Sequence, residues 1–193
     1  MVQWPTKPAE DVTVTWLGAQ LGCDIQTGPW IAGGTPRLLW FAEDQTGHDI
    51  DVFFPNIHCL ENAHVIMKTI TQSTGYQTMN ACTYTVVHNG KTIEVQLISK
   101  HFYKSLDALF NDFDFTVCKF ATDGKILVGD SEGVEHCKNK QLSWNEKSNQ
   151  TISPYRVIKY STYGFDIDNH ILHSLVKKYN NNPTTFSQDP EYE

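Results

Sequence analysis

Residues 30–54 begin Trp30-Ile31-Ala32-Gly33-Gly34-Thr35-Pro36-Arg37 and end His48-Asp49-Ile50-Asp51-Val52-Phe53-Phe54. The first three residues are a short apolar strand that stops at the glycine pair. Proline suits the first position of a helix, so Thr35-Pro36 predicts a short buried helix running through Arg37 to Ala42. Glu43 to Gly47 is a polar loop. From Asp49 to Phe54 the acidic residues alternate with Ile50 and Val52, which is the period of a strand, and Pro55 ends it. The unit is therefore strand, glycine turn, helix, strand.

Each part of this unit has a chemical use. Two glycines between a strand and a helix let backbone approach a ligand closely. The helix N-terminus beyond them offers unpaired N–H groups and the positive end of a dipole, which together suit phosphate. Asp49 and Asp51 are two residues apart on a strand, so both carboxylates leave the same face. Like charges held that close are costly without a cation. Magnesium, which takes carboxylate and phosphate oxygens, is the natural partner, with manganese as a substitute. A phosphate cradle beside paired carboxylates implies phosphoryl-group chemistry.

The segment resembles the signature of the DNA polymerase beta-type nucleotidyltransferase superfamily: an apolar residue, two glycines, a spacer, and two acidic residues around one apolar residue. Here the glycines are Gly33 and Gly34 and the acidic pair is Asp49 and Asp51. The spacer is a little longer than usual, in keeping with the Glu43–Gly47 loop. The resemblance covers roughly residues 28–120. It implies an α+β nucleotidyltransferase fold, a mixed β-sheet flanked by helices, and two-metal transfer of a nucleoside monophosphate from an NTP such as ATP. Asp49 and Asp51 would hold both ions, and Gly33, Gly34 and Thr35 would hold the triphosphate. Arg37 would neutralise phosphate charge, with a helix-surface role equally open. The superfamily also implies a third carboxylate on a later, adjacent strand. Thr92 to Ile98 fits that place in element order and offers Glu94; the rival is Asp114 at another acidic strand start. The stretch Arg156 to Phe165 resembles small phage and viral proteins of this type.

The rest of the chain supports a mixed fold. Val14, Leu17 and Leu21 fall at helical spacing behind Asp11 as an N-cap, after a loose leader at residues 1–10. A further helix is expected over 57–74. Thr78 to Val87 and Thr92 to Ile98 are strands joined at His88-Asn89-Gly90-Lys91, and Asn-Gly is a strong hairpin signal. A helix over 102–111 precedes a second hairpin, Phe113 to Phe120 with Lys125 to Val128 across Asp123-Gly124. Residues 130–150 are polar and ambiguous. Ser153 to Tyr163 and Asp168 to Tyr179 read as helices. On the first of these Arg156 and Lys159 share a face that would meet phosphates or simply face solvent. The expected organisation is a core at 11–128, a small helical C-terminal extension at 129–180 packed on it, and a mobile tail at 181–193.

Composition narrows the function classes. With 40% hydrophobic and 19% charged residues the chain has a real core and is not disordered. A net charge of −7 argues against a general nucleic-acid coating protein. Five widely spaced cysteines without a C-x-x-C favour free thiols. No secretory signal or membrane-length apolar run is visible, which points to the cytoplasm, that of a host cell if the chain is phage-encoded. His170 and His173 lack a Cys or acidic partner of diagnostic spacing, and Cys118 reads as a small buried residue. The acceptor stays open between RNA, protein and a small molecule, as does the oligomeric state. A catalytically degenerate nucleotide-binding module and a structural protein that kept the scaffold are the alternatives to a working transferase.

Overall fold

The computed structural model describes residues 4–45 and 47–181. In chain order the elements are β1 (Thr6–Pro8), α1 (Val12–Leu21), β2 (Trp30–Ala32), α2 (Gly34–Phe41), β3 (Ile50–Phe54), α3 (Ile57–Thr71), β4 (Tyr76–Gln77), β5 (Ala81–His88) and β6 (Lys91–Phe102). Then come α4 (Leu106–Asp112), a 3-10 turn (Thr116–Cys118), β7 (Phe120–Thr122), β8 (Ile126–Gly129), α5 (Ser131–Lys138), β9 (Gln141–Leu142), α6 (Pro154–Thr162), β10 (Asp166–Ile167) and α7 (Asn169–Asn181). The tail expected to be mobile lies outside the described residues from 182 onward.

One eight-stranded sheet carries the architecture, in the order β1-β8-β7-β2-β3-β6-β5-β4. All its pairings are antiparallel except β3 with β6, which run parallel. This is the mixed sheet flanked by helices that the sequence implies. The parallel pair follows from the connection: β3 leaves into α3, and β4 and β5 then precede β6. The Asn89-Gly90 turn joins β5 to β6, with φ of 50° and 75° at its two centres, the backbone that a tight two-residue hairpin requires.

Side-chain period assigns the two faces. Val52, Phe54, Tyr84, Val86, Val95 and Leu97 point to one face and pack under α1 and α3 against Val14, Leu17, Leu60 and Met67. Asp11 caps α1 by accepting from the Val14 amide at 2.8 Å, and Asn56 caps α3 by accepting from Cys59 at 3.0 Å; each satisfies an orphan donor of its first turn. On the opposite face, α4 covers the β2–β7–β8 end with Leu106, Leu109 and Phe110 against Trp30, Ala32 and Val128. A third cluster joins α2 and the β7–β8 hairpin to α5, α6 and α7 through Trp40, Phe120, Val134, Val157, Tyr160 and Ile171.

The structure corrects four local expectations. The leader is not wholly loose: Thr6–Pro8 pairs with Ile126–Val128 as an edge strand. Pro36 is the third residue of α2, not the first, because the helix starts at Gly34. Phe113 to Cys118 is not strand, because the Asp114 carboxylate and the Phe115 ring are used in packing against α6. The polar stretch 130–150 holds α5 and β9, and Asp130 caps α5 by accepting from Gly133 at 3.1 Å.

Candidate phosphate and metal site

Asp49 and Asp51 sit at the start of β3, on the face opposite Val52 and the α1–α3 core. Two contacts fix Asp49. The Thr35 hydroxyl in the first turn of α2 donates to the Asp49 carbonyl at 2.7 Å. The Gln96 amide donates to Asp49 Oδ2 at 2.9 Å. Gln96 reaches it because the parallel register sets Asp51 directly beside Gln96 on β6. Burial pushes the Asp51 carboxyl up to about 7, and the neighbouring Asp49 charge adds to the rise. Arg156 and Lys159 pull the other way without cancelling it. A carboxylate held in that state favours a nearby cation.

Gly33 lies over this pair. Its φ of 91° and ψ of −127° belong to glycine, and a Cβ built there would stand 3.9 Å from Asp51 Oδ2. Its own amide is committed to the Phe120 carbonyl at 2.9 Å. The amides that α2 leaves unpaired by helix geometry therefore begin at Gly34 and Thr35, within the same turn that touches Asp49.

Helix α6 brings the cations. Arg156 Nη2 donates to Asp114 Oδ1 at 3.0 Å, and its Nε donates to the other carboxylate oxygen. The pair is two-pronged, the strong geometry for guanidinium and carboxylate. Beneath it Cys118 and Tyr160 are in contact, Sγ to hydroxyl, at 3.0 Å. Lys159 is exposed one residue before the buried Tyr160. Arg37 is not a surface residue: it is 3% exposed, with its guanidinium 5.8 Å from the Tyr160 ring centre and 5.7 Å from that of Phe165. Its Nε is buried without a hydrogen-bond partner among the described residues. Burial holds the His48 imidazole below its usual range, and the charges of Lys159 and Arg37 add to the lowering.

The residues singled out by sequence thus divide into groups. Gly33, Gly34, Thr35, Asp49 and Asp51 come together, with Arg156 and Lys159 within electrostatic reach. Asp114 is taken by Arg156. Glu94 is on β6 two residues before Gln96, exposed, and lines a groove with Thr83 and Thr85. Gln96, not Glu94, lies beside the pair. Among the described residues no group of three or more His, Cys, Asp and Glu side chains is placed to hold a metal ion. No sequence motif singles out Gln96. It shares strand and parity with Glu94, but the register between strands some forty residues apart is not written in either strand.

No curated protein matches the chain. Among solved structures it is similar to a Thermotoga maritima CCA-adding enzyme complexed with tRNA, with a TM-score of 0.62 at 16% identity, over 93% of this chain and 47% of that one. A CCA-adding enzyme complexed with CTP gives a TM-score of 0.60 at 16% identity, over 92% of this chain and 46% of that one. The same kind of enzyme complexed with ATP gives 0.57 at 15%, over 92% and 46%. The chain therefore spans about half the length of these structures and shares their nucleotidyltransferase fold. Residues 10–140 match the Gabija anti-defense 2 family protein description, and the chain belongs to that family.

Proposed function

We propose that this protein is a metal-dependent nucleotidyltransferase that moves a nucleoside monophosphate from an NTP to an acceptor hydroxyl at the Asp49–Asp51 pair. The observation that carries this reading is the geometry of the pair: Asp51, partly buried on the strand face it shares with Asp49, lies under the Gly33 turn, 3.9 Å from where a Cβ would stand. Two carboxylates on one strand face, whose repulsion Arg156 and Lys159 do not cancel, suit Mg2+ or Mn2+. Asp49 and Asp51 would hold it. When bound, the ion neutralises phosphate oxygens and favours the ionised form of the acceptor hydroxyl. The chain's own residues do the rest. Gly34 and Thr35 amides at the head of α2 receive phosphate oxygens. Thr35 and Gln96 fix Asp49 in place. Lys159 and the Asp114-held Arg156 set positive charge opposite the phosphates. The acceptor oxygen forms its bond to the α-phosphorus as the α–β bridging bond breaks, pyrophosphate leaves in line, and the hydroxyl proton passes to solvent.

Residues 11–128 carry the acidic pair in this reading, and the extension at 129–180 supplies Arg156 and Lys159. The family's anti-defense name supports placing this activity in a phage-encoded protein that works in the host cytoplasm against a defence component. Incubation with labelled NTPs, Mg2+ or Mn2+ and host extract tests the chemistry. Label should pass to an acceptor with wild-type protein and not with Asp49→Asn or Asp51→Asn; equal labelling by all three overturns it.

One observation favours a second reading, in which the protein binds nucleotide without transferring it: an amide, Gln96, stands beside the pair. Binding of NTP that depends on Asp51, with no pyrophosphate released in the presence of host extract, would select that reading.

A further inference from the structure

The register places one row of side chains across four strands on the face that α1 and α3 leave uncovered. Asp51 is beside Gln96, Gln96 is beside Thr83, and Thr83 is beside Tyr76. A second pair, Glu94 and Thr85, lies next to this row. Helix α4 covers the other end of the same face, from β2 to β8, but Thr85, Glu94 and Tyr76 are exposed. The result is a groove of ≈ 540 Å³ lined by Ser73, Thr74, Tyr76, Thr83, Thr85 and Glu94. With strands about 4.8 Å apart, the row runs about 14 Å from the acidic pair to the edge of the sheet.

Charge divides the surroundings of Asp51 into two sides. Toward α6 stand Arg156 and Lys159, whose fields reach Asp51. Toward β4 the groove lining contains hydroxyls, one aromatic ring, one carboxylate, and no lysine or arginine. The first side suits phosphates. The second would repel a phosphodiester chain, whose affinity depends on neutralising cations. We infer that the β4–β6 groove is the acceptor subsite of this protein, and that it takes an extended polypeptide bearing a serine, threonine or tyrosine hydroxyl near a basic residue that pairs with Glu94.

Three features fit this occupant. The groove opens at β4, the last strand of the sheet order, so an extended chain can enter across that edge and run over the strands toward the acidic pair. The row from Tyr76 to Asp51 matches about four extended residues at roughly 3.3 Å each. Tyr76, 68% exposed at that edge, offers an apolar face to the incoming segment. The inference rests on the proposed use of Asp49 and Asp51, since it names the acceptor that would meet a nucleotide there. The peptide hydroxyl oxygen would form the bond to the α-phosphorus, with pyrophosphate leaving and the proton passing to solvent.

Fluorescence anisotropy separates this inference from the proposal beneath it. The probes are a short labelled Arg/Ser peptide and a labelled oligo(A) RNA, each titrated with the full chain in the presence of Mn2+ and ATP. Wild type should bind the peptide and bind the RNA more weakly. Glu94→Lys should weaken peptide binding by about tenfold or more and leave Mn2+ affinity unchanged. Glu135→Lys on α5, the same charge change away from the groove, should leave peptide binding unchanged. Thr83→Trp, which fills the groove without altering charge, should also abolish peptide binding. Tighter RNA binding, or peptide binding indifferent to both groove variants, overturns the inference. Mn2+ binding indifferent to Asp51→Asn counts instead against the metal site, whatever the peptide does.

Discussion

The Gln96 amide donates to Asp49 Oδ2 at 2.9 Å from the strand position directly beside Asp51. An amide there orients one carboxylate but adds no charge for a cation. Gln96→Glu would supply that charge. Mn2+ affinity, read by electron paramagnetic resonance, should rise by about tenfold, since ligand charge sets affinity at oxygen sites. Unchanged or weaker binding would show that Gln96 does not border the ion.

Asp51 also makes stability depend on pH. Its folded value of about 7 lies above the ordinary carboxylate value of about 3.9 expected in the unfolded chain. Between these limits the folded state holds the extra proton, so stability falls as pH rises from about 4 to 7 and then levels. Asp51→Asn removes that dependence. Its Tm in EDTA should exceed that of wild type at pH 8, with the gap closing toward pH 4. A constant offset across this range would contradict the assignment.

The Arg156–Asp114 pair holds α6 against the loop before the 3-10 turn. Removing one partner leaves the other charge partly buried, so Asp114→Ala should lower stability by about 3 kcal/mol, a Tm drop of about 6–12 °C. Adding Arg156→Met should recover part of the loss, because the stranded charge is gone. Strictly additive losses in the double variant would mean that the two side chains do not interact.

The two glycines should respond differently. Gly33→Ala forces a side chain into φ of 91°, at a cost of about 1–3 kcal/mol, and sets a methyl 3.9 Å from Asp51 Oδ2. Gly34→Ala meets no atom within 4 Å. Denaturant melts should therefore show loss of stability with the first substitution and near-normal stability with the second. Equal effects would remove the special role of the Gly33 turn.

Much of this fold was legible because it is local. The Asp11 cap, the Asn89-Gly90 hairpin and the alternation from Ile50 to Phe54 each lie within a few residues of chain. The mixed sheet followed from their order. What sequence did not give was long-range. Asp114 and Arg156 are 42 residues apart, and their pairing turns a strand-like run into a loop. The strand beside β3 could be named from element order, but not the register that puts Gln96 rather than Glu94 next to Asp51. Arg37 looked like a surface or phosphate residue because nothing nearby in sequence announces Tyr160 and Phe165.

The most direct test of the metal and nucleotide site is Mn2+ titration by electron paramagnetic resonance, with ATP present, at pH 6 and pH 8. Wild-type protein should bind Mn2+ more tightly at pH 8, where Asp51 is ionised, and Asp49→Asn and Asp51→Asn should each lose most of the binding. Binding equal in wild type and both variants, or unaffected by pH, would contradict a cation site at Asp49 and Asp51.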